Sequence, residues 1–120
     1  MTTLSPYFWV ALGSALGGVA RYWFTMAGAR LFGAEFPWST IAINVLGSLV
    51  IGIVAARTPS DAVRLFVMVG ICGGFTTFSA FSLQTLALLQ EGHAIKALAN
   101  VLLSVLLCLA ATWAGWRLAS

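Results

Sequence analysis

The sequence predicts an all-α membrane protein with four transmembrane helices, the third broken near its middle, in a single domain over residues 1–120. Three observations carry this. Of the 120 residues, 61% are hydrophobic and 8% charged, with a mean hydropathy of +1.00, whereas a soluble domain carries about 25% charged residues. Four segments approach or exceed the roughly 20 apolar residues that a spanning helix needs. All three acids, Glu35, Asp61 and Glu91, fall between those segments.

The first segment covers about residues 7–29. The opening Met1-Thr2-Thr3-Leu4-Ser5-Pro6 lacks the basic n-region of a cleavable signal, so this segment is expected to remain as a helix. It carries Gly13, Gly17 and Gly18. Gly13 and Gly17 form a GxxxG pair, which lets two helices approach closely. The second segment covers about residues 38–56 and adds Gly47 and Gly52. Thr58-Pro59-Ser60-Asp61 then reads as a turn and a helix N-cap. The third segment, about residues 62–90, holds Gly70-Ile71-Cys72-Gly73-Gly74-Phe75-Thr76-Thr77-Phe78-Ser79-Ala80-Phe81-Ser82. Irregular backbone at membrane depth is tolerated only where it is buried in protein or lines a cavity. The fourth segment covers about residues 94–118. His93, beside Gly92, is a loop residue. Trp9, Trp23, Trp38, Trp113 and Trp116 lie near segment ends, as an interfacial aromatic belt does. Cys72 and Cys108 both sit in apolar segments and are expected to be reduced and buried.

The charges constrain both topology and partners. A net charge of +3, scattered and without a basic run, gives no footprint for nucleic acid. Four spans put Arg57, Arg64 and Arg117 on one side and Arg21, Arg30 and Lys96 on the other. Orientation follows the asymmetry of Lys and Arg between short loops, and here three face three. Either other signals choose one orientation, or both orientations insert and an antiparallel assembly forms. Four short helices hardly enclose a pore, so a homo-oligomer is expected.

Polar residues inside the spans recur at helical spacing. Thr40, Asn44 and Ser48 share one face of the second segment, and Asn100, Ser104 and Cys108 one face of the fourth. In the third, Ser79 and Ser82 form one i, i+3 pair, and Phe78 and Phe81 another. Single hydroxyls often satisfy their own helix, and an Asn can simply hold helices together. Three such faces in one short chain point to a polar pathway. No Asp or Glu lies within any span, so a proton-coupled carrier lacks the titratable group it needs at membrane depth. Hydroxyls, an amide and the positive edges of aromatic rings suit a small anion that must shed water and still leave. Arg21 and Arg30, toward the membrane boundary, either raise the local anion concentration or reach to the headgroups. Carbonyls freed around Gly73 to Thr76 either coordinate a hard cation such as Na+ or belong to a plain kink.

These residues resemble the Fluc (CrcB) family of fluoride channels. Gly73 through Ser82 is similar to the family's GGxTTFSTFS signature. Thr40-Ile41-Ala42-Ile43-Asn44-Val45-Leu46-Gly47 is similar to TLxVNxxG, and Gly17-Gly18-Val19-Ala20-Arg21-Tyr22 to a first-helix GxxxRY element. The resemblance spans the chain in size and layout. It implies an antiparallel dual-topology homodimer with two fluoride pores, in the inner membrane as a multi-pass protein. Asn44 is then the pore amide, and Phe78 and Phe81 present ring edges to fluoride. Thr40, Ser79, Ser82, Ser104 and Arg21 complete the pathway, and the Gly73 and Thr76 carbonyls hold a central structural Na+. Three positions depart from the pattern: Gln84 where the family often has Glu, Ala80 where Thr is frequent, and Ser39 where Gly is frequent.

The leading expectation is thus a passive fluoride channel and not an enzyme. A small multidrug-type transporter has a similar layout but needs a glutamate in its first helix, and residues 7–29 contain none. A non-transporting assembly subunit accounts for the glycines and tryptophans but not for three polar faces.

Overall fold

The computed structural model describes residues 3–120, so the signal-peptide reading at Met1 and Thr2 falls outside the described residues. Among the described residues the regular structure is all helical, with no strand. Helix α1 spans Ser5–Phe32 and α2 spans Trp38–Ala56. The next stretch starts as α3, Asp61–Val63, continues as a π-helix over Arg64–Cys72, and closes with α4, Gly73–Phe75. Helix α5 spans Phe78–Gln90 and α6 spans Ala94–Ala119.

Local chemistry sets the ends. Pro6 sits in the first turn of α1, where a missing N–H costs nothing. The helix stops at Gly33, whose φ of 74° suits glycine and whose N–H closes onto the Ala29 carbonyl at 3.1 Å. Ser60 is the N-cap of α3, its hydroxyl accepting from the Val63 amide at 3.4 Å. Asp61 pairs with Arg64 one turn on, at 3.1 Å. That pair is exposed, and such pairs contribute little.

Three helical stretches are long and apolar enough to cross a membrane: Trp38–Ala56, Asp61–Gln90 and Ala94–Ala119. The 28 residues of α1 suffice in length, but Arg21, Arg30 and its serine, tyrosine and glycine content make it less apolar. The molecule is therefore a helical, multi-pass membrane protein.

The packing is helix on helix, with glycine at the seams. Helix α1 lies along the π-helix and α4, while α2 lies along α6. A Cβ on Gly17 would collide with the Ile71 carbonyl oxygen, and one on Gly13 with that of Phe66. From the facing side, a Cβ on Gly70 would sit 2.8 Å from the Gly13 Cα, and one on Gly74 2.7 Å from the Ser14 oxygen. The α2–α6 seam repeats the device with Gly52 against Thr112 and Gly115 against Leu49. Thr112 also donates to the Ser48 carbonyl across that seam, at 3.1 Å. Gly18, by contrast, faces open space. Backbone-to-backbone approach of this kind is how helices gain dispersion contact where lipid removes the hydrophobic incentive.

Candidate functional site

The site is built around two residues that are not helical. Thr76 and Thr77 are extended, with φ, ψ of −79°, 157° and −149°, 112°. Both glycines before them, Gly73 and Gly74, remain in the helical stretch. The interruption comes from Thr77, which caps α5: its hydroxyl accepts from the Ala80 amide at 3.1 Å. A helix that restarts leaves backbone groups without internal partners, and in a membrane interior each such group costs several kcal/mol, roughly.

Asn44, on α2, supplies the missing partners. Its Oδ1 accepts from the Thr77 N–H at 2.8 Å, and its Nδ2 donates to the Thr77 carbonyl at 3.1 Å. One amide side chain thereby pairs both backbone groups of one residue, as a neighbouring strand would. Nδ2 has a second hydrogen that this clamp does not use. Thr76 turns its hydroxyl back to the Cys72 carbonyl at 2.9 Å. From α1, Arg21 Nε donates to the Gly74 carbonyl at 3.1 Å. Arg21 is therefore half-buried against the break.

Two of these diversions take the usual helical partners from the carbonyls of Gly73 and Thr76. In a continuous helix Gly73 would receive the Thr77 amide, which here goes to Asn44. Thr76 would receive the Ala80 amide, which here goes to the Thr77 hydroxyl. Neutral carbonyl oxygens of this kind are ligands for a hard monovalent cation. Among the described residues there is no cluster of three or more His, Cys, Asp or Glu that could hold a metal ion.

Phe78 and Phe81 follow on α5, their ring centroids 5.2 Å apart and their planes at 57°. Phe81 is buried at 9% exposure, whereas Phe78 is 77% exposed. Both face an open groove of about 440 Å³ that also takes in Asn44, Gly73, Thr76 and Ser104. The structure thus brings together six of the ten residues singled out from sequence. The other four lie elsewhere. Thr40 is buried in a separate cavity of about 230 Å³, with Gln84, Glu35 and Glu91. The Gln84 Oε1 there is buried without a hydrogen-bond partner. Ser79 is 3.4 Å from the Thr77 hydroxyl. Ser82 is exposed and donates to the Phe78 carbonyl at 3.0 Å, which uses its proton within its own helix. Arg21 holds the far side of the break.

The shared faces read from sequence are divided by the packing. Asn44 and Ser48 line the groove while Thr40 does not. On α6, Ser104 and Cys108 line it, while Asn100, 1% exposed, turns to Thr85 and donates to its hydroxyl at 2.9 Å. Sequence reasoning placed Asn100 on a polar face without assigning it a partner, and passed over Thr85 and the cap at Thr77. A Ser or Thr in a span usually satisfies its own helix, so nothing in the sequence separates these from the rest.

Fold and site together define a polytopic helical membrane protein with neutral polar groups gathered at an interrupted helix. The profile described as "CrcB-like protein, Camphor Resistance (CrcB)" matches residues 8–116. A protein of Methylocella silvestris called fluoride-specific ion channel FluC is 51% identical over 116 residues, covering 91% of this chain and 88% of that one. The protein of that name from Paramagnetospirillum magneticum is 54% identical over 116 residues, covering 91% of each chain. The one from Rhodospirillum rubrum is 51% identical, covering 91% of this chain and 90% of its own. The chain belongs to the CrcB-like family.

Proposed function

We propose that this chain is a fluoride-specific ion channel through which cytoplasmic fluoride leaves passively. Its relatives bear the name of a channel, which is not an enzymatic role. In this reading α1 is a fourth span, residues 61–90 form one broken span, and the protein sits in the inner membrane. It works as an antiparallel dual-topology homodimer, for which the three-to-three split of basic residues and the exposed face around Phe78 are the support. The Gly73 and Thr76 carbonyls, one pair from each subunit, would hold the central Na+, which would supply a fixed positive charge near the groove.

The observation that carries the proposal is the chemistry of the groove. Asn44, the Phe78–Phe81 pair and Ser104 present an amide hydrogen, ring edges and a hydroxyl, with no carboxylate among them. Each is a neutral partner for a desolvated anion, the Ser104 hydroxyl once it turns from the Asn100 Oδ1 that it meets at 3.3 Å. None binds so strongly that fluoride stays. Asn44 does two jobs: two of its polar groups hold the Thr77 backbone, and its remaining N–H serves the anion. Thr40 lies near Gln84 toward one end of the route, and Ser79 and Ser82 lie along the start of α5.

Purified protein in liposomes tests this directly. Fluoride is expected to escape rapidly while chloride is retained. Equal release of both anions, or release of neither, overturns the reading. Phe81→Ile keeps a buried apolar side chain of similar size but removes the ring edge. It is expected to slow fluoride release at least about tenfold, equivalent to about 1.4 kcal/mol of lost stabilisation, without dissociating the dimer on size-exclusion chromatography. Wild-type release from this variant removes Phe81 from the pathway.

A further inference from the structure

The groove wall contributed by α6 has a built-in hydrogen-bond direction. The Phe81 carbonyl can only accept, so Thr85, 2.7 Å away, must donate its single hydroxyl proton there. Thr85 Oγ1 is then left as an acceptor, and Asn100, 2.9 Å away, must offer it Nδ2. That fixes the Asn100 amide with Oδ1 toward Ser104. Ser104 in turn donates its proton to Asn100, at 3.3 Å. Every donor in the chain Ser104, Asn100, Thr85 points toward the carbonyl of Phe81. Asn100 is 1% exposed and Ser104 7%, so water does not scramble the order.

The consequence falls on the groove. Ser104 lines it, yet its proton is turned away and its lone pairs face in. Thr85 and Ser82 spend their hydroxyl protons on the carbonyl one turn back in their own helix, the usual habit of such residues in spans. Ser104 differs in that its acceptor is a side chain, and the bond is long and weakly held.

We infer that Asn100 is a positioning residue that aims the Ser104 proton, and that Thr85 locks Asn100 in that setting. An anion reaching Ser104 is received only when this hydroxyl turns from Asn100 into the groove. The cost of that turn is set by Thr85, because Asn100 cannot reverse its amide to follow without leaving two acceptors facing each other. This inference rests on the channel reading and deepens it: the wall at Ser104 offers a donor on demand, not a standing anion site.

The chain has two asparagines, Asn44 and Asn100, so protein labelled with 15N-asparagine gives two side-chain amide signals. We expect sodium fluoride to shift the Asn100 signal in wild type. In Ser104→Ala that shift disappears while the Asn44 response persists. Thr85→Val preserves shape but frees the Asn100 amide to reverse and donate to Ser104. Half-saturating fluoride should then fall about two- to tenfold, the range set by one net hydrogen bond. An Asn100 signal indifferent to fluoride while Asn44 responds overturns the inference and leaves the channel standing. So does an unchanged or higher half-saturation in Thr85→Val. If that variant fails to assemble, Ser104→Ala decides alone. No response at either asparagine, with no fluoride release from liposomes, sinks the channel reading and this inference together.

Discussion

Asn44→Ala is expected to slow fluoride release from liposomes more than tenfold and to lower the unfolding temperature of the same preparation. The side chain makes two hydrogen bonds, to the amide and to the carbonyl of Thr77. Thr77 is 9% exposed, so both groups lose a protein partner at a nearly buried residue when the amide is removed. An unpaired buried polar group costs about 1–3 kcal/mol, and two are created at once. The extended pair Thr76–Thr77 then loses both hydrogen bonds that Asn44 brings from α2. Alanine also removes the N–H left over for the anion. Asn44→Asp separates the two roles. The carboxylate still accepts from the Thr77 amide, but it cannot donate to the Thr77 carbonyl, and its charge opposes an anion. Release is expected to fall as far in Asp as in Ala. Wild-type release in both variants would show that the break needs no clamp and the route no amide.

The second large effect is expected at Gly17. An alanine there drives its methyl group into the Ile71 carbonyl oxygen and to 2.9 Å from the Phe75 nitrogen. Both obstacles are backbone, so no side chain can rotate away. Overpacking of this kind costs about 1–3 kcal/mol where side chains yield, and more where the π-helix itself must shift. Against a total stability of about 5–15 kcal/mol, a loss of that size should lower the thermal unfolding temperature and the yield of the detergent-extracted protein without abolishing folding. Gly18→Ala is the matched control, because a Cβ there meets nothing within 4 Å. Equal yield and equal thermal unfolding of the two variants would show that the α1 seam is looser than its geometry says.

These two residues also mark how far sequence reasoning reaches. The GxxxG spacing of Gly13 and Gly17 announced a close helix contact, and a close contact is there. The same reading grouped Gly18 with them, and nothing in the letters distinguishes its open side. Helix α2 has the bounds its apolar run indicated, residues 38–56, because a long uninterrupted run leaves little choice. The irregular stretch was visible as glycines and hydroxyls in an apolar segment. Its backbone detail was not, since the glycines stay helical and Thr77 makes the interruption. A capping threonine and an ordinary intramembrane threonine look alike until the residue three positions on is placed in space.

Asn44 is the clearest example of the division. Its identity alone demanded partners, because an amide in a membrane cannot stay unpaired. Which partners it takes depends on bringing residue 44 beside residue 77, and that follows from α2 packing against the broken stretch. Arg21 divides in the same way. Its charge and position suggested either the boundary or the route, and the fold adds what spacing could not give: the seam with α4 brings its Nε to the Gly74 carbonyl. Composition and periodicity settled that this chain is helical, that it lies in a membrane and where its long helices run, because lipid allows few alternatives. The pairing of donors with acceptors, the two carbonyls without their usual helical partners and the direction of the Ser104–Asn100–Thr85 chain arose only on folding. Each is a relation between groups far apart in the chain, and a hydrogen bond depends on distances of a few tenths of an ångström that sequence spacing does not encode.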